Sequence, residues 1–151
     1  MEGLKPPMFA RGLSAILAIV PVLTALAAGP GPDPGSTAER LAQQVMIVDT
    51  HIDVPDRLEE RWSDVTAATD HGDFDYERAR RGGLNIPFMS IYTPAKAEAG
   101  GESFTLANRL IDRVEALVGR APDRFMLVGS PDQAEQAMCR GVMGLARGLE
   151  N

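Results

Sequence analysis

The stretch IVDTHIDVP, Ile47 to Pro55, ends an apolar run in three polar residues spaced two apart, Asp49, His51 and Asp53. Successive side chains of an extended chain point to opposite faces, so His51 and Asp53 project together and Ile52 turns the other way. An imidazole nitrogen and a carboxylate oxygen held in this way form half of a zinc site, because zinc accepts N and O ligands at about 2.0–2.2 Å. The same two groups also make an ordinary strand-end pair, a histidine hydrogen-bonded to a neighbouring carboxylate. His-x-Asp alone does not separate the two. His71, in TDHGDFD, has Asp70 and Asp73 beside it, but Gly72 marks a loop there and a solvated histidine is expected.

The elements that would position these groups alternate in type. STAERLAQQ opens a helix at Ser36, with Ser36 or Thr37 as its cap. VMIVDT reads as a strand covered on both faces, since its apolar residues do not alternate with polar ones. DYERARRGGL is a short helix stopped by Gly82 and Gly83, and LNIPFMSIYTP is the next strand. Pro87 cannot donate to a ladder, so an edge position or a bulge is expected there. Ser103 to Val118 is the clearest helix, with Ala107, Leu110, Ile111, Val114, Leu117 and Val118 on one face and Gly119 at its end. RFMLVGS is a short strand. SPDQ starts a helix on Ser130, with Pro131 first and Gln133 three after the cap, and this helix runs to Arg140. GVMGLARGLEN returns as a strand. Strands alternating with helices imply a parallel α/β sheet, open or closed, with its chemistry at the carboxyl ends of the strands. Glu150 leaves the last strand at that same end.

Composition narrows the class. The 151 residues are 44% apolar and 24% charged with a net charge of -6, which fits one modest core. No dense Lys/Arg patch exists, so a nucleic-acid partner is not expected. A single cysteine, Cys139, excludes an internal disulfide framework and reads as a buried or inert thiol. Lys5 and Arg11 precede the apolar LSAILAIVPVLTALAA, and Ala25-Leu26-Ala27 supplies a cleavage site. Residues 1–27 therefore read as an export signal, giving a periplasmic or extracellular protein, or a membrane-tethered one if the signal stays uncleaved. GPGPDPG makes residues 28–35 a linker, and residues 36–151 the folded domain.

Three blocks together carry a resemblance. VDTHIDVP followed by Arg57-Leu58 looks like the opening signature of the membrane dipeptidase (renal dipeptidase) family of zinc peptidases. GDFDYERARRGGLNIPFMSIYTP is similar to that family's next block, and GLEN resembles its third, which ends a later strand in a glutamate. The blocks occur in the family's order and cover nearly all of the chain after the linker.

The resemblance implies a (β/α)₈ TIM barrel that hydrolyses dipeptides with two zinc ions. His51 and Asp53 would be ligands of one zinc, Glu150 the carboxylate bridging it to the second, and Asp49 a support for a ligand or for the loop backbone. The second zinc and the substrate would depend on residues of later strands. A complete barrel needs about 200 residues or more, so the chain reads as the first few units of one, the amino-terminal fragment of a dipeptidase, inactive by itself. The resemblance also leaves room for a homodimer of the full-length protein. Arg147 departs from the family's apolar pattern: alternation turns it to the helical layer, where an unpaired charge is costly. Two other readings compete, a non-catalytic fragment binding at most one zinc, and a different metal-dependent amidohydrolase-type barrel. His-x-Asp in place of the commoner His-x-His speaks against the latter.

Overall fold

A computed structural model describes residues 34–151. The export signal and most of the linker lie outside the described residues. Helix α1 (Pro34–Gln44) begins two residues before Ser36, so Thr37 lies within it and does not cap it. The order continues β1 (Ile47–Ile52), α2 (Val54–Glu60), α3 (Tyr76–Arg81), β2 (Leu84–Tyr92), α4 (Ala95–Ala99), α5 (Ser103–Arg120), β3 (Phe125–Leu127), α6 (Pro131–Arg140) and β4 (Met143–Glu150). Helices α2 and α4 are absent from the sequence reading because each is short, 7 and 5 residues. Helix α5 runs through Gly119 and stops at Ala121, before Pro122.

All three strand pairings are parallel, in the order β1-β2-β4-β3. On one face Met89, Ile91, Met143 and Leu145 pack with Phe125 against Leu58 of α2 and Leu110, Val114 and Leu117 of α5. On the other, Ile86, Val128 and Ala146 meet Ala134 and Ala137 of α6. Gly144 allows this second layer to lie close: a Cβ there would come within 2.6 Å of Val128 and 2.7 Å of Ile86. Local signals fix the helix ends. Asp75 caps α3 by accepting from the Arg78 N–H, and Ser130 caps α6 by accepting from that of Gln133. Gly83 has φ +86° and faces the Ala42 carbonyl of α1, with no room for a side chain.

Three expectations change, and for Pro87 the structure decides between the two alternatives. Strand β1 is not covered on both faces: it is the edge of the sheet among the described residues, and Val48 is 43% exposed. Pro87 sits in the interior strand β2, so its accommodation is an irregularity in the ladder and not an edge. Cys139 is exposed, because Ala134 and Ala137 are the positions that α6 buries. Arg147 does face the helical layer, but it is paired: its Nη1 donates to Glu115 Oε1 of α5 at 2.6 Å. With 37% of its side chain exposed it needs no displacement of the strand, and β2 and β4 stay in register from Phe88–Ala146 to Tyr92–Glu150.

Candidate metal centre

The end of β1 is not a plain extended strand. Asp49 pairs with Pro87 and Ile52 with Met89, so three steps on β1 match two on β2. One extra residue has entered, and such a bulge shifts the alternation of everything after it. Val48 shares a groove with Ile86 and Phe88, yet Ile52, four residues on, packs with the α2–α5 core on the opposite face. Without the bulge Ile52 would follow Val48, and His51 would point at the helices. With it, Ile52 enters the core and His51 stands on the other face, its side chain 54% exposed. The Asp49 carboxylate accepts the His51 backbone N–H at 3.0 Å, which closes the bulge. Asp53 follows at the N-cap of α2, where its side chain makes no capping hydrogen bond.

Glu150 arrives from β4. His51 Nε2 lies 3.1 Å from Asp53 Oδ1 and 3.4 Å from Glu150 Oε1. Ligand atoms at about 2.0–2.2 Å from a tetrahedral zinc stand roughly 3.4 Å apart, so the two separations fit a shared ion as well as they fit the direct His51–Asp53 hydrogen bond. Among the described residues this trio is the group whose ligand atoms, within 4.8 Å of one another, could hold a metal. A strand-end pair needs only His51 and Asp53. A third ligand group from another strand, close to both of the others, is what a cation site adds to such a pair. The surroundings are acidic as well: burial first, then the charges of Glu60, Asp53 and Glu59, push the Asp56 carboxyl above its ordinary range. One imidazole with two carboxylates is a donor set that fits zinc.

Strand β2 and the residue that follows it hold Glu150 at two points. The buried Ser90 donates its hydroxyl to Glu150 Oε1. The Thr93 N–H and hydroxyl donate to the Glu150 backbone carbonyl at 3.1 and 3.4 Å. Sequence reading missed both, although a serine inside a buried strand was a usable signal. His71 is exposed in its loop and outside the trio; its carbonyl accepts from Arg57 and Thr69. Trp62 and Tyr92 are 47% and 38% exposed, and Trp62 lies under the Arg120 guanidinium.

The sequence profile of a family described as membrane dipeptidase (peptidase family M19) matches residues 36–151. No curated protein sequence matches the chain. Among solved structures, the dipeptidase AC, a metallopeptidase of family M19, superposes with a TM-score of 0.61 at 18% identity. A metallopeptidase from Rhodobacter sphaeroides, liganded with a phosphinate mimic of the dipeptide L-Ala-D-Ala, gives 0.60 at 16%. The probable dipeptidase PvdM from Pseudomonas aeruginosa gives 0.59 at 17%. The three superpositions cover 71%, 71% and 76% of this chain but 35%, 38% and 30% of the solved ones. The chain thus spans about a third of their length. At these identities the likeness shows the fold: the parallel sheet is part of a (β/α)₈ barrel, with β1, β2 and β4 side by side and the three-residue β3 paired beyond β4.

Proposed function

The chain belongs to the membrane dipeptidase family of metallopeptidases, and on that premise we propose that it supplies the first metal site of a zinc-dependent dipeptide hydrolase. His51, Asp53 and Glu150 would hold the zinc, with Glu150 as the carboxylate shared with a second ion. Zinc bound there would polarise the scissile carbonyl and make an attacking water acidic enough to ionise near neutral pH. The chain's own residues prepare that chemistry. The bulge and Asp49 turn the His51 ring out of the helical layer. Ser90 and Thr93 fix Glu150 across the β2–β4 gap. The ligand side chains keep 37–68% of their surface open, enough for a dipeptide to reach them.

The observation that carries this reading is the convergence of three ligand groups from β1, the N-cap of α2 and β4. It also sets a limit. Only one other histidine exists, His71, and it lies outside the trio. The dinuclear centre and the grip on substrate therefore need residues beyond these, and the 151-residue chain by itself binds at most one zinc and turns over no dipeptide. The whole protein would be exported, on the evidence of residues 1–27, and would act on dipeptides as a monomer or homodimer. Amino-acid release from dipeptides by the zinc-loaded whole protein tests the reading, with Glu150→Gln expected to abolish release. Hydrolysis of lactams or esters in place of dipeptides would contradict it.

A further inference from the structure

Ser90 stands out because nothing in the barrel's packing calls for a hydroxyl at its position. It sits in the middle of the sheet, 3% exposed, flanked by Met89 and Ile91, which face the helical core. Its own side chain points to the other face, and its register partner on β4 is Gly148. A Cβ at Gly148 would meet no atom within 4 Å, so that partner leaves open space beside Ser90. Across that space the hydroxyl reaches Glu150, two residues further along β4, and donates to Oε1. This is the same oxygen that faces His51 Nε2 at 3.4 Å.

A glutamate at a strand end, with 37% of its side chain exposed, has little of its own to fix its rotamer. A hydrogen bond from a buried hydroxyl to a carboxylate is charge-assisted, hence among the stronger kinds. We propose that Ser90 is a positioning residue of the metal centre: it locks the Glu150 carboxylate towards His51 and thereby raises the affinity for a divalent cation. Resting on the metal-site reading above, this assigns Ser90 a role through Glu150 and no contact with substrate.

Cobalt(II), whose visible absorption reports its ligands, serves as the probe on the complete 151-residue chain. Losing a partner that orients a metal ligand typically costs about 10–100-fold in affinity. Ser90→Ala is expected to weaken cobalt binding by about that factor and to alter the absorption bands, with thermal unfolding of the metal-free chain little changed. Ser90→Thr keeps the hydroxyl, and the space beside Gly148 admits its methyl, so affinity should return to within about 3-fold of the starting chain. In a Glu150→Gln background, Ser90→Ala should cost nothing further. Cobalt affinity unchanged by Ser90→Ala, or full additivity with Glu150→Gln, would overturn the role of Ser90 and leave the metal site standing. Absence of cobalt binding by the unsubstituted chain would overturn both.

Discussion

The carboxylate of Asp49 accepts the backbone N–H of His51 at 3.0 Å, across the one residue by which β1 outruns β2. That bond closes the bulge that turns the imidazole off the helical face. Asp49→Ala should leave the bulge unclasped, let His51 wander, and weaken divalent-cation binding by roughly 10-fold. Asp49→Asn retains an oxygen acceptor and should lose far less. Parallel cobalt titrations of the two variants check this.

Asp75 is the buried charge on which the loop before α3 depends. Burial alone would raise its pKa. The N–H groups of Arg78 and Thr69 and the Arg78 guanidinium outweigh that and hold it at about 2, against an ordinary 3.8. A depressed folded-state value means stability that is fully present above pH 4 and lost as pH falls towards 2. The shift corresponds to about 2 kcal/mol. Asp75→Asn should be less stable by about that much at pH 6, with the gap closing near pH 2. Urea unfolding of both proteins at the two pH values measures it.

Gly83 lies where α1 crosses the end of α3. A Cβ there would sit 2.4 Å from the Ala42 carbonyl oxygen, and φ is +86°. Strain and collision act together, so Gly83→Ala should destabilise the fold by about 2–4 kcal/mol, read as a lower urea midpoint at unchanged slope. Gly148→Ala meets no such obstacle and should fold normally.

Arg147 and Glu115 form a partly exposed pair, 37% and 50% open at the side chains. Such pairs contribute about 0–1 kcal/mol. A double-mutant cycle with Arg147→Ala and Glu115→Ala should give a coupling below about 1 kcal/mol. The departure of Arg147 from an apolar pattern is thus tolerated at the barrel's surface and does not displace Glu150.

Much of this was legible in the sequence, and for physical reasons. The period of α5, the Ser130-Pro131 start of α6 and the strand ending at Glu150 are local signals that tertiary packing reinforced. That His51, Asp53 and Glu150 come together was legible because motif blocks carry their own register. What stayed hidden depends on pairing between distant residues. The bulge at Thr50–His51 exists only relative to Pro87 and Met89, so strict alternation gave the right partners, His51 and Asp53, for an incomplete reason. Ser90 could be noticed as a serine in a buried strand, but its partner lies sixty residues away and no local pattern names it. The exposure of β1 and of Cys139 likewise depends on what packs beside them, which no local pattern encodes.

On the proposed assignment, His51, Asp53 and Glu150 hold a single metal ion within this chain. Zinc titration of the 151-residue protein, followed by competition with a chromophoric chelator, tests it most directly, with His51→Ala and Glu150→Gln alongside. One zinc per chain, lost in His51→Ala and weakened in Glu150→Gln, is the expected result. Tight uptake of two zinc ions, or uptake indifferent to both substitutions, would contradict it.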